Sequence, residues 1–137
     1  MTRIRIRHEN ELEWIRPHAD ISESEREKFT EEELSAEVRF REAGSLDSPQ
    51  LIEIRYPPNA EIRLHAHTED EIIFVREGEL HFGNHVLKKG ASLFVAGGTL
   101  YSFKAGSESL QILNFRPRQD TTFITKDEYL AKRSTTD

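Results

Sequence analysis

An all-β fold, a barrel or sandwich with short helical or irregular segments at both ends, is what this sequence predicts, on three observations. From Ala36 onward, short runs of apolar and β-branched residues alternate with turn residues at regular spacing, the texture of many short strands. Between Phe82 and His85 stand only Gly83 and Asn84, both tolerant of positive φ, which is what a tight two-residue hairpin demands. Helix-like signals are confined to the two ends of the chain.

Taken in order, residues 3 to 7 alternate Arg and Ile, a period-two pattern that predicts a short edge strand covering the barrel or a partner subunit. From Ser22 to Leu34 the chain is rich in Glu, Lys and Arg. Ser22 with Glu25 fits a capping box, so this segment reads as a short exposed helix or turn, or as a solvated charged loop. Strands are predicted over Glu37 to Arg41, Leu51 to Tyr56, Glu61 to His67, Glu71 to Arg76, Glu79 to Phe82, His85 to Leu87, Ser92 to Val95, Tyr101 to Lys104 and Ser109 to Phe115. Pro57-Pro58 ends the second of these, because proline has no N–H for a ladder, and Gly97-Gly98 supplies another sharp turn. After Pro117 the strand pattern stops. Thr125 and Glu128 predict a cap for a brief helix through Lys132, and residues 134 to 137 are expected to fray. The whole forms one domain: residues 1–35 an N-terminal strand and charged segment packing on the barrel, 36–117 the barrel, 118–137 a tail with a short helix.

The runs Ile72-Ile73-Phe74-Val75 and Leu93-Phe94-Val95 are apolar on both faces, so each needs cover on two sides. The barrel interior is one cover. The other is the N-terminal strand or a second subunit, and a homodimer is the preferred reading.

The 137-residue chain carries a net charge of -6 with acids and bases interspersed, which argues against nucleic acid, whose binding draws on clustered Lys and Arg. No stretch approaches the roughly 18 apolar residues needed to cross a bilayer. The start, Met1-Thr2-Arg3-Ile4-Arg5-Ile6-Arg7, lacks the apolar block of a signal peptide, so a cytoplasmic protein without a membrane partner is expected. There is no cysteine, which leaves nitrogen and oxygen to hold any metal.

His65 and His67 are separated by one residue within a strand, so both project from one face and can grip a single ion. Glu71 follows four residues later, at the start of the next apolar strand. Taken alone, an H-x-H pair is most often two strand residues on a wet face. Glu71 changes the weighing, because it sits among Ile72, Ile73, Phe74 and Val75, where an unpaired carboxylate costs several kcal/mol and a cation relieves that cost. Imidazole with carboxylate suits a divalent transition metal.

These residues resemble the cupins. The run His65-Ala66-His67-Thr68-Glu69-Asp70-Glu71 followed by Gly78 is similar to the first cupin motif, G-x5-H-x-H-x3-4-E-x6-G, with Asn59 in place of the opening glycine. The second motif, G-x5-P-x-G-x2-H-x3-N, is matched by Gly90 and Gly98, while Ala96, Tyr101 and Ala105 replace its proline, histidine and asparagine. The resemblance spans about residues 36 to 117 and implies a double-stranded β-helix, the jelly-roll barrel of a small single-domain cupin. It also implies one divalent metal ion (Fe, Ni, Mn or Zn) on His65, His67 and Glu71. Tyr101 stands where the fourth ligand belongs. It is a phenolate ligand, an acid/base group acting on bound water or substrate, or the mark of a barrel that has lost its metal.

The expected function is that of a metal-binding small cupin, an enzyme acting on a small organic molecule by dioxygenase, isomerase or lyase chemistry, with Tyr101 as candidate catalytic residue. The alternative is a cupin that binds or senses a small metabolite without turnover. Ile73, Val75 and Phe103 are expected to line the pocket through strand parity. Arg55 and Arg63 are placed at its mouth or in surface salt bridges, His85 at a hairpin rim, and His8, His18 and His81 away from the site. Trp14 and Phe29 are expected to staple the N-terminal segment to the barrel.

Overall fold

The computed structural model describes residues 3–135. Its strands are β1 (Glu37–Glu42), β2 (Gln50–Tyr56), β3 (Glu61–Ala66), β4 (Glu71–Glu77), β5 (Leu80–Phe82), β6 (His85–Leu87), β7 (Ser92–Val95), β8 (Tyr101–Ala105), β9 (Leu110–Arg116) and β10 (Ile124–Thr125). They make two five-stranded antiparallel sheets, ordered β1-β2-β9-β4-β7 and β10-β3-β8-β5-β6. All nine predicted strands are present, with ends displaced by one residue at most. The strand β10 was not anticipated: two residues are too few for a periodicity signal, and it forms by pairing Ile124 with Ala66 and Thr125 with His65. The second sheet therefore draws its outer strand from beyond residue 117.

Alternation along each strand sends Ile62, Ile73, Val75, Phe103, Leu110 and Ile112 into one core shared by both sheets, each of them buried. At about 25 cal/mol per Å² of apolar surface removed from water, such side chains stabilise the sandwich by roughly 1.5–3 kcal/mol each before the cost of ordering the chain. The hairpin Phe82–His85 closes as expected, but only Gly83 takes positive φ, at 56°. Asn59, in the place of the motif glycine, takes φ 61°. Asparagine tolerates that left-handed region better than most residues, which explains how the position does without glycine.

Residues 3 to 7 do not form a strand. The free edge of β1 is already met by Ile15, which exchanges two backbone hydrogen bonds of 2.8 Å with Val38. The arginines of the segment instead reach the end of β1: Arg7 donates to the Arg41 carbonyl at 3.1 Å and to Glu42 at 3.2 Å, and Arg5 pairs with Glu42. Ser22 caps α1 (Glu23–Arg26), and the reciprocal capping box belongs to Thr30 and Glu33 at α2 (Glu31–Leu34). Thr125 accepts from the Glu128 N–H at 3.2 Å at the start of α3 (Lys126–Thr135). That helix continues past Lys132 to Thr135; residues 136 and 137, where fraying was also expected, lie outside the described residues.

The outer face of the first sheet has two halves. On one, fully buried Glu53 accepts from Arg39 at 2.9 and 3.1 Å, Arg41 at 3.1 Å and Arg76 at 2.7 Å. Trp14 lies across Arg39 and Arg55, 4.3 and 4.1 Å from its ring centre, and so fastens the N-terminal segment there. On the other, Ile72, Phe74, Phe94 and Phe115 are 39–62% exposed, the face that the sequence assigns to a second copy.

Candidate functional site

A cavity of about 540 Å³ lies between the sheets, under the N-terminal segment. Ile52, Ile54, Ile62, Ile73, Phe103 and Ile112 form an apolar wall. Tyr56, His65, His67, Tyr101, Asn114 and Arg116 are among its polar lining, with Lys28, Glu33, Gln50 and Thr121. Val75, expected on the wall, is instead fully buried behind it.

The histidines reach the cavity through a break in strand periodicity. The register slips between Ile62, opposite Phe103, and His65, opposite Tyr101, which puts three steps of β3 against two of β8. Such a bulge redirects the strand, so Ile62 and His65 are both buried while Arg63 and Leu64 between them face out. Arg63 then donates to the Glu27 carbonyl at 2.6 Å, and Arg55 pairs with Glu37 at 3.0 Å; neither lines the cavity.

His65 Nδ1–H donates to the Arg63 carbonyl at 2.6 Å, and His67 Nδ1–H donates to the Thr122 carbonyl. A carbonyl can only accept, so each ring keeps an unprotonated Nε2 when neutral. Burial pushes the His65 pKa down to about 4, with the neighbouring His67 adding to the effect, and burial followed by Arg116 lowers that of His67.

Glu71 is one of the least exposed side chains in the molecule. Its Oε1 accepts from the Tyr101 hydroxyl. Its Oε2 accepts from Asn114 Nδ2 at 2.9 Å and from Arg116 Nη2 at 3.2 Å and Nε at 3.4 Å. Burial alone raises its pKa; His67, Tyr101, Arg116 and Asn114 outweigh that and hold it below the usual carboxylate range. Tyr101 moves the other way, because burial and then the Glu71 charge push its phenol well above 10 and keep it protonated. A phenolate ligand at Tyr101 is thus opposed by its surroundings.

The sequence expectation of His65, His67, Glu71 and Tyr101 at one place is met in position, since His65 and Tyr101 rings lie 4.5 Å apart and the His65 and His67 rings 4.8 Å apart. As a metal centre the set does not fit as it stands. Among the described residues no three His, Asp or Glu side chains are grouped to hold an ion. The cation that buried Glu71 requires is a guanidinium, and Arg116 Nη2 also approaches His67 Nε2 at 3.5 Å.

Arg116 and Asn114 were missed in the sequence. The signal was parity: Leu110 and Ile112 face inward on β9, so the next two alternate residues, both polar, must face inward as well. His18 was also underweighted; it lines the cavity and lies 4.3 Å from the Phe29 ring. Phe29 in turn packs on Phe123, which stacks at 4.5 Å and 10° on His65, so Phe29 closes the cavity as well as fastening the N-terminal segment. Phe123 is held there by the preceding loop, in which Asp120 accepts from Thr122 N–H and Glu69 N–H, both at 2.9 Å.

Two five-stranded antiparallel sheets facing each other around an internal, polar-ended cavity define a jelly-roll barrel. No protein-family model matches the sequence, and no curated protein matches it. Solved structures do match. An RmlC-like cupin from Ralstonia eutropha JMP134 aligns at TM-score 0.63 over 94% of this chain and 83% of that one, with 12% identity. The polyketide cyclase RemF from Streptomyces resistomycificus aligns at 0.52 over 70% and 78%, with 20% identity. A deletion variant of the oxalate decarboxylase OxdC from Bacillus subtilis aligns at 0.58 over 70% and 29%, with 16% identity. This chain has the cupin fold, in the form of one small barrel.

Proposed function

We propose that this cupin binds a small organic molecule in the barrel cavity, with the cluster around Glu71 as its polar recognition end and no resident metal. The observation that carries this is the contact of Arg116 with Glu71, which places a fixed positive charge where a metal ion would otherwise be required. The cavity supports it, being mostly apolar with a few convergent polar groups. Recognition is favoured over turnover because Tyr101 is held protonated on Glu71 and His65 is too weak a base near neutral pH.

The test is metal analysis of protein purified without a metal-affinity tag, together with a fragment-binding screen by NMR. Metal well below one equivalent is expected, as are apolar fragments that bind the wild type and not the cavity-filling Ile73→Trp variant. Near-stoichiometric metal that is lost in His67→Ala would overturn the reading.

A second reading, a metal-dependent cupin enzyme using His65, His67, Glu71 and Tyr101, is favoured by one observation. Both Nδ1–H groups are spent on main-chain carbonyls, the arrangement that orients imidazoles with Nε2 free for a ligand. It needs Arg116 to leave Glu71. A bound Fe, Ni, Mn or Zn ion would then supply Lewis acidity or an oxygen-binding position, of the sort that oxygenase, isomerase or lyase chemistry uses. Names such as polyketide cyclase and oxalate decarboxylase among the cupin-fold neighbours are in keeping with this reading.

A further inference from the structure

The polar end of the cavity presents unpaired hydrogen-bond acceptors, while most of its donors are spent within the fold; Asn114 Nδ2 and Arg116 Nη1 each keep one N–H without a further bond among the described residues. His65 uses its Nδ1–H on the Arg63 carbonyl, and its Nε2 makes no hydrogen bond among the described residues. Asn114 uses Nδ2 on Glu71, a bond that fixes the amide because an ionised carboxylate only accepts; its buried Oδ1 has no partner. Tyr101 commits its hydroxyl hydrogen to Glu71, so its oxygen is left only to accept. Arg116 engages all three nitrogens, on Glu71, on the Asp120 carbonyl at 2.7 Å and on His67. Tyr56, which also lines the cavity, has a hydroxyl still able to donate as well as accept.

We propose that the molecule recognised here is neutral, an alcohol or phenol whose O–H donates to His65 Nε2 and whose apolar body lies against Ile52, Ile62, Ile73 and Phe103. This rests on the cavity reading above and narrows it to a ligand class. A carboxylate or phosphate would set lone pairs against the lone pairs of His65 and Tyr101, beside the Glu71 charge. An ammonium group would face the Arg116 guanidinium, with the Glu71 charge already matched by it. A hydroxyl supplies the one missing element, a donor without charge.

The decisive comparison uses the isosteric pair p-cresol and p-xylene, together with p-toluate and 4-methylbenzylamine, which carry the same 4-methylphenyl body, binding to full-length wild type and His65→Phe by calorimetry. A hydroxyl buried without a partner weakens binding roughly ten- to a hundredfold against a methyl group. p-Cresol is therefore expected to bind wild type at least as tightly as p-xylene, and at least tenfold more tightly than the toluate or the amine. In His65→Phe, p-cresol falls at least tenfold behind p-xylene, whose own binding shows the variant cavity to be intact. Tighter binding of p-xylene than p-cresol to the wild type, preference for either ion, or a cresol affinity unmoved by His65→Phe overturns the ligand class and leaves the cavity reading standing. Binding of none of the four overturns both. Should His65→Phe fail to fold, the order of the four affinities on the wild type decides alone.

Discussion

Arg116 Nη2 lies 3.2 Å from Glu71 Oε2, and the two side chains are only 8% and 1% exposed. An ion pair this far from water is stabilised by mutual attraction only while both members are present. Arg116→Met leaves a buried carboxylate without its counter-charge and is expected to cost about 3–5 kcal/mol in urea denaturation. The double variant Arg116→Met with Glu71→Gln should recover much of that loss. Equal costs in the single and double variants would show the pair to be uncoupled.

Removing the guanidinium together with its bulk should also expose the latent donor set. In Arg116→Ala, Glu71 is free to turn toward His65 and His67, and the variant is expected to gain stability with added Ni²⁺ or Zn²⁺ where wild type gains none. The melting temperature with and without metal is the measurement, with Arg116→Ala combined with His67→Ala as control. No metal response in the single variant counts against latent ligation.

The buried His65 predicts acid sensitivity of a definite sign. Its folded pKa is about 4, against 6.5 for the free side chain, so above 6.5 both states are neutral and it contributes no pH dependence. As pH falls from 6.5 toward 4 the unfolded chain takes up a proton that the folded chain refuses, and stability drops by on the order of 3 kcal/mol. His67 acts in the same direction. Glu71, whose folded pKa is lowered, adds a further loss only below about its ordinary 4.5. His65→Phe should flatten the upper part of this profile; an unchanged slope between pH 6.5 and 5 would assign it to other groups.

Asn59 offers a backbone test. At φ 61° any residue with a Cβ is strained, asparagine less than most, so Asn59→Ala should lower stability by up to about 1 kcal/mol, whereas Asn59→Gly should be neutral or mildly stabilising. Thermal melts of the two variants read this directly. Equal behaviour would place the asparagine side chain, rather than its backbone, at the centre of the turn.

What the sequence made legible follows from the range of each signal. Strands β1 to β9 carry their own period-two pattern and their own turn residues, Gly83 among them, so a local reading suffices. The segment from Arg3 to Arg7 has the same pattern and is no strand, because a strand also needs a free edge and Ile15 already occupies it. The bulge between Ile62 and His65 is invisible to simple parity, since it is fixed by pairing with β8. The site was half legible. The fold does bring His65, His67, Glu71 and Tyr101 together, but the cation expected beside Glu71 was a metal ion and the one found there is a guanidinium. That partner lies 45 residues downstream on another strand, and only the fold brings Arg116 to it.

A counter-ion built into the polypeptide has a bearing on how the barrel comes into being in the cell. On the metal-free reading proposed above, neutralisation of buried Glu71 is completed by chain folding alone, with no loading step and no dependence on the supply of trace elements. Cells starved of transition metals, or grown with a chelator, should accumulate the folded protein to the same level as replete ones.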